Sequence, residues 1–348
     1  MPKEPCSVKK ATIYANNDNM PNAAILLYDG CYASSAGGVA DILQVANAHL
    51  AQNVAAHLRY SWDFISMDGG AVAASNGLAF STRKPLADEQ FDFVYIPASH
   101  YRGYKHFVDL LASLGATYDW LTKQWSNGAQ LAATCTGTFL LAKTGLLDGR
   151  TATTTWWLEE QFRSWFPNVD LQMKSILTEV DGLFCAGALS SYHLQSIKLI
   201  ERYSGASLAS LCAKSMLIDV SQTLQTPYLP LLANRAHTDT VVLRAQAFMQ
   251  ENLAGRIRLA DLADRLAVSE RTLIRRFNNV LGQSPVSYLQ NLRIEAARSL
   301  LETGEMQIES VAEAVGYQDN SSFVRLFRER LGLTPGAYRK KFRLAMSS

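Results

Sequence analysis

The chain has 348 residues, 33 basic and 31 acidic, for a formal net charge of +2, and 48% of its residues are apolar. At roughly 100 to 200 residues per domain this length predicts two domains, and the composition excludes a disordered chain, a collagen-like repeat and a disulfide scaffold. The near-zero net charge conceals a division. Up to residue 234 there are 16 basic and 19 acidic residues, a net of −3; from Arg235 onward there are 17 and 12, a net of +5, and 15 of those 17 cations are arginine. Arginine's planar fork matches phosphate oxygens and guanine edges, so the last third has the charge of a nucleic-acid binder.

The first residues lack the apolar run of a signal peptide, and no uncharged apolar stretch approaches the roughly 18 residues needed to span a bilayer, so a cytoplasmic protein without membrane contact is expected. Cys6, Cys31, Cys135, Cys185 and Cys212 are odd in number, widely spaced and without Cys-x-x-Cys pairing. This pattern predicts reduced thiols, with no structural metal and no bound cofactor.

In chain order, strands are expected at residues 24–28, 60–66, 93–96 and 130–133, with helices at 38–50 and 106–125. A last strand at 182–186 and closing helices at 189–203 and 208–219 follow. Short apolar runs alternating with amphipathic stretches predict an α/β fold, a parallel sheet covered by helices on both faces. Residues 222–232 then break the periodicity with Pro227 and Pro230 and read as a semi-rigid linker. Everything after Arg235 reads as helix. The resulting division is a tail at 1–21, an α/β domain at 22–220, a linker at 221–238, an all-α domain at 239–343 and a tail at 344–348.

The all-α domain contains an internal repeat. Leu273, Arg275, Phe277, Leu281, Gly282, Pro285 and Tyr288 recur as Phe323, Arg325, Phe327, Leu331, Gly332, Pro335 and Tyr338, at an offset of 50 residues. Each window has a short apolar helix, a tight turn, an oxygen-bearing cap (Ser269 or Asp319) and a second helix, which is the helix-turn-helix pattern. The apolar pair at i, i+4 packs inward. Arg271, Ile274 and Arg275, or Asn320, Ser321, Val324 and Arg325, then fall on the outer face and toward the helix start. A long amphipathic stretch at 286–302 would hold the two second helices about one duplex turn apart, roughly 34 Å.

With Ala312-Glu-Ala-Val-Gly-Tyr317, Ser322-Phe-Val-Arg-Leu-Phe-Arg328 and Leu333-Thr-Pro-Gly-Ala-Tyr-Arg339, residues 240–343 resemble the AraC/XylS family of transcription regulators. The resemblance implies double-stranded promoter DNA as partner and Arg271, Ile274, Arg275, Asn320, Ser321 and Arg325 as base readers. Arg328, Arg339 and Lys340 are expected on phosphates. Ile274 stands where relatives often carry a polar side chain and is suited to a thymine methyl.

In the α/β domain, Leu131-Ala-Ala-Thr-Cys-Thr-Gly137 places Cys135 between a strand and a helix, the arrangement of a nucleophile elbow in which a helix N-terminus lowers a thiol pKa. With Gly145-Leu-Leu-Asp-Gly-Arg150 after it and Ala23-Ala-Ile-Leu-Leu-Tyr-Asp-Gly30 before it, this segment resembles the ThiJ/PfpI branch of the class I glutamine amidotransferase-like superfamily. The resemblance covers residues 22–220 and implies a flavodoxin-like sheet. It also implies a His and a Glu beside the cysteine, and the sequence departs from that in four places. Thr136 follows the cysteine where a His is common, Thr155 ends the Ala152-Thr-Thr run where a His is expected, Ser35 stands near the position of the acid, and Ala98-Ser99 replaces a Gly-Gly turn.

A thiol nucleophile needs a base and oxyanion donors. His100 and His193 are the conceivable bases left, although a lone His is more often structural. Retained architecture without partners predicts a non-enzymatic binding pocket at the sheet's carboxyl edge, with Ser35, Ser99, Cys135, Thr136, Thr155 and Trp156 as candidate effector-pocket residues. The Trp156-Trp157 pair fits either core packing at a helix start or an aromatic wall for a small cation. The combined expectation is a transcription regulator, by resemblance an activator, that senses a small-molecule effector and forms a homodimer through its N-terminal domain. The alternative is a cysteine-dependent amidase or hydrolase fused to a DNA-binding module.

Overall fold

The computed structural model describes residues 21–52, 59–221, 224–229, 231 and 237–343. Cys6, nearly all of both expected tails and part of the 222–232 stretch lie outside the described residues. The chain divides into two compact units, one ending at Gln225 and one beginning at Thr226.

The first unit runs β1 (Asn22–Leu26), α1 (Ala33–Ala51), β2 (Ser61–Ile65), β3 (Gly70–Ala73), β4 (Ala79–Thr82), β5 (Phe93–Ile96), α2 (Tyr104–Ser113) and α3 (Gly115–Ser126). It continues with β6 (Gln130–Thr134), α4 (Gly137–Lys143), β7 (Thr151–Ala152), α5 (Glu159–Trp165), β8 (Asp170–Leu171), β9 (Leu177–Val180), β10 (Leu183–Ala186) and α6 (Tyr192–Ser215). Six strands form one sheet in the order β2-β1-β5-β6-β10-β9, a flavodoxin-like order extended at one edge. Its pairings are parallel except β9 with β10. β5 and β10 are buried along their whole length, which is why they read as unbroken apolar runs rather than alternating ones.

Several details differ from the sequence reading, among them the short strands β3, β4, β7 and β8, which were not expected. The first helix starts five residues early, at Ala33, and buries Ser35 and Ala36. The helix expected at 106–125 is two, divided at Leu114, whose backbone is not helical. The two closing helices join end to end in α6, interrupted by Gly205 at φ +83°. β9 was not expected, yet its hairpin turn, Asp181-Gly182, carries φ +48° and +77°, the left-handed pair that an Asp-Gly dipeptide favours between antiparallel strands.

The second unit is helical throughout its described residues: α7 (Thr240–Glu251), α8 (Leu259–Arg265), α9 (Glu270–Leu281), α10 (Pro285–Thr303), α11 (Ile308–Ala314), α12 (Asn320–Leu331) and α13 (Pro335–Phe342). It has two cores, one built around Leu262, Leu273, Phe277 and Tyr288, the other around Val311, Phe323, Phe327 and Tyr338. α10 feeds both, with Tyr288 and Leu289 in the first and Ile294, Ala297 and Leu301 in the second.

The proline-containing stretch is not a free spacer where it is described. In the first unit Leu224 bridges Ser175, and Gln225, only 4% exposed, donates from its side chain to the Met173 carbonyl at 2.7 Å and to Thr153 Oγ1 at 3.2 Å. In the second unit Arg298 of α10 donates to the Leu229 and Pro227 carbonyls at 2.9 and 3.3 Å. Backbone that has left regular structure still needs partners for its polar groups, and these side chains supply them.

Candidate functional site

In the second unit the repeat is reproduced in three dimensions. The alternation of exposed and buried positions is the same, residue for residue, over 271–281 and 321–331. Leu273, Phe277 and Leu281 of α9 point into one core, and Phe323, Phe327 and Leu331 of α12 into the other. Each helix starts on a side-chain cap: Ser269 accepts from the Thr272 amide, and Asp319 from the Ser321 and Ser322 amides at 3.1 and 2.9 Å. The Ser322 hydroxyl, together with those two amides, holds the Asp319 carboxyl below its usual range. Each ends on a left-handed glycine, Gly282 or Gly332.

With the apolar face fixed, the outer face follows. Arg271 and Arg275 are exposed and Ile274 is half-buried between them; Ser321, Arg325 and Arg328 are exposed and Asn320 half-buried. The second set is gathered together: Asn320, Ser321, Val324, Arg325 and Arg328 line one surface groove of about 770 Å³, with Glu329 and Thr334 at the same groove. Several basic residues of the region are already engaged, Arg330 of α12 with the Gln290 side chain among them. Arg276 pairs with Asp239, the cap of α7, at 3.0 Å, and Arg339 donates to the Met306 carbonyl, which ties α13 to the segment before α11. Lys340 is exposed.

In the first unit β6 passes into α4 through Cys135, whose φ is +58°. Its amide donates to the Ala186 carbonyl at 2.8 Å, and its carbonyl accepts from Thr154 Oγ1 at 2.7 Å. Gly137 is dictated by the turn, because a Cβ there would lie 2.7 Å from both the Ile96 and Pro97 carbonyl oxygens. Thr136 is bonded to Ser99 through the Ser99 amide at 2.7 Å and the Ser99 carbonyl at 3.0 Å. The hydroxyl of Ser35 donates to the Tyr32 carbonyl.

The expected lowering of the thiol pKa is reversed. Burial pushes the Cys135 thiol up to about 11, against the smaller downward pull of the Thr136 amide and the Thr155 and Thr136 hydroxyls. Ser35, Ser99, Cys135, Thr136 and Thr155 are each at most 1% exposed, and Trp156 is half-buried. Five of the six candidate residues are therefore closed to solvent in this conformation; Cys135, Thr155, Thr136 and Ser99 are linked to one another, whereas Ser35 bonds to the Tyr32 carbonyl.

Of the two conceivable bases, His100 shares a hydrogen bond with Tyr32 through Nδ1 at 3.0 Å, and His193 engages the Ser190 carbonyl at 2.8 Å while stacked on Tyr192. His193 lines a different hollow, of about 340 Å³, with Ile176, Leu217 and Ile218. The four described cysteines are free and buried. Among the described residues no helix is long and apolar enough to cross a membrane.

Residues 34–170 match the DJ-1/PfpI family, and residues 262–341 match a helix-turn-helix domain family of AraC type. The HTH-type transcriptional regulator CdhR of Pseudomonas aeruginosa is 29% identical over 280 residues, covering 79% of this chain and 80% of that protein. GbdR, an HTH-type transcriptional regulator of the same species, is 28% identical over 322 residues, 92% of this chain and 84% of the relative. A putative transcriptional regulator from Vibrio parahaemolyticus, whose crystal structure is known, aligns over 57% of this chain and all of its own at 18% identity and a TM-score of 0.49. The chain is a transcriptional regulator that joins a DJ-1/PfpI domain to an AraC-type helix-turn-helix domain. Regulators of that type bind DNA.

Proposed function

We propose that the first unit is a catalytically silent sensor whose small-molecule effector, bound at the elbow among Ser35, Ser99, Cys135, Thr136, Thr155 and Trp156, controls sequence-specific binding of promoter DNA by the second unit. The observation that carries this reading is the state of Cys135: an elbow cysteine that is buried, protonated at neutral pH and bordered by the hydroxyls of Thr155 and Thr136. A nucleophile needs its thiolate, and the hydrogen bonds that favour the thiolate here are outweighed by burial. Because five of these six side chains are buried, effector entry requires the site to open, and the half-buried Trp156 is the most exposed of the six.

The 153–155 segment supports a route for the signal. Thr155 stands beside the thiol, Thr154 bonds the Cys135 carbonyl, and Thr153 receives the side chain of Gln225, the last residue of the unit. A ligand that displaces this segment thereby acts on the start of the linker. On the DNA, Arg271, Ile274, Arg275, Asn320, Ser321 and Arg325 read bases, while Arg328, Lys340 and Arg339 face phosphates. Homodimerisation through the first unit would raise the effective concentration of the DNA-binding units on repeated half-sites. Leu211, Leu217 and Val220 supply exposed apolar surface for it. The regulator is read as an activator acting in the cytoplasm.

The test is a promoter assay and a thermal-shift screen of small metabolites on the full chain and on Cys135→Ala. The reading requires an effector that stabilises both proteins and promoter control that survives the substitution. Loss of both together with hydrolysis of the effector by the wild type would establish the hydrolase alternative.

A further inference from the structure

The second unit has two cores, and a chain that places two recognition helices on one duplex needs something to fix one core against the other. Arg293, midway along α10, lies where they meet. Its Nε donates to the Leu253 carbonyl at 3.1 Å and its Nη2 to the Gly255 carbonyl at 2.7 Å, so the guanidinium grips the loop that joins α7 to α8 of the first half. The same guanidinium stands 5.5 Å from the ring centroid of Tyr317, which belongs to the turn of the second half and packs on Phe323. Beside it, Gly316 at φ +87° leaves no room for a side chain, since a Cβ would lie 2.8 Å from both Arg293 Nη2 and the Leu253 carbonyl oxygen. Burial lowers the Arg293 pKa, which marks the guanidinium as drawn out of water.

The turn that Arg293 touches is the one that aims α12. Gly316 and Tyr317 are followed by Asp319, the cap, and then directly by Asn320 and Ser321. A groove of about 890 Å³ runs over this contact, with Arg256 and Ile257 of the first half on one side and Glu313, Gln318 and Asp319 of the second on the other. We propose that Arg293 is a positioning residue that locks the two helix-turn-helix halves at one separation, so that the spacing between the two DNA sub-sites is itself read. Its planar fork engages two carbonyls of one half while its face meets an aromatic ring of the other, a combination that lysine lacks. The inference rests on the reading that both α9 and α12 contact DNA.

Selection of random duplexes with the full chain yields the bipartite site; binding is then measured to that site, to each sub-site alone, and to the site with one base pair inserted between its halves. Rigid linkage makes the wild type lose about tenfold or more on insertion. Arg293→Ala is expected to weaken binding to the intact site by about tenfold, to leave each isolated sub-site within about twofold of wild type, and to abolish most of the insertion penalty. Tyr317→Leu, which keeps the Arg293 hydrogen bonds and removes the ring, is expected to move in the same direction by a smaller factor and carries the test if Arg293→Ala does not fold. An unchanged insertion penalty in the folded variant, or equal loss on isolated sub-sites, overturns the proposal. Arg275→Ala and Arg325→Ala serve as controls. If each weakens only its own sub-site while the insertion penalty in Arg293→Ala stays intact, the brace alone is wrong; if either leaves binding unchanged, the two-helix reading fails and the brace with it.

Discussion

At the scale of single residues, position in the fold overrides intrinsic chemistry. Cys135 sits at an elbow, yet its thiol titrates near 11 because desolvation outweighs the nearby amide and hydroxyls. Burial also raises Cys212 to about 11 and Cys185 to about 12. Groups that hold protons more tightly folded than unfolded contribute stability that is complete below about pH 8.5 and is lost as pH climbs through their folded values. Thermal melting of the full chain is therefore expected to fall steeply between pH 9 and pH 11, and iodoacetamide at pH 7.5 should label Cys135 far more slowly in the native than in the urea-unfolded protein. Rapid native labelling would contradict the burial-controlled thiol. On the DNA side, Arg275→Ala and Arg325→Ala should each cost about 1 to 3 kcal/mol on the preferred sequence and relax discrimination at particular base pairs, measured by competition against single-base variants. The sequence placed these arginines on the outer face, where they are exposed, because a fixed apolar stripe leaves only one such face. It did not single out Arg293, Arg298 or Gln225, whose partners are backbone carbonyls supplied by distant segments.

At the scale of elements, helices and central strands were legible where their periodicity is enforced by burial on a known face. Both helix-turn-helix units, their caps and the connector fall within a few residues of expectation for that reason. The break at Leu114, the fusion into α6 across Gly205 and the edge strand β9 were not legible, because each depends on where a neighbouring layer ends. The turns carry their own test. Gly137→Ala would press a Cβ against the Ile96 and Pro97 carbonyls, which are backbone and cannot swing aside, and should destabilise the first unit by about 3 kcal/mol or more, read as a drop in its melting temperature. Gln225→Leu leaves the buried Met173 carbonyl without its donor, while the Thr153 hydroxyl keeps its bond to the Ser175 carbonyl, and is expected to cost about 1 to 3 kcal/mol. It should also blunt the promoter's response to effector while DNA affinity without effector stays near wild type.

At the scale of the whole molecule, the net charge of +2 is a poor guide and its segregation a good one: −3 up to residue 234, +5 beyond. Binding to DNA should fall with salt in proportion to the phosphates neutralised, and Arg328→Ala should lower the slope of log K against log salt by about 1 while weakening all duplexes alike. A base-specific effect of that substitution would move Arg328 from the backbone to the readers. By itself the sequence determined the two-unit organisation, the duplicated helix-turn-helix and the elbow, because each is written in local periodicity, turn chemistry and composition. Only the tertiary structure decided that the elbow thiol is held protonated, that the candidate pocket is closed and that Arg293 spans the two halves. Those outcomes depend on desolvation and on carbonyls brought together from remote segments, and neither is encoded in any local stretch of chain.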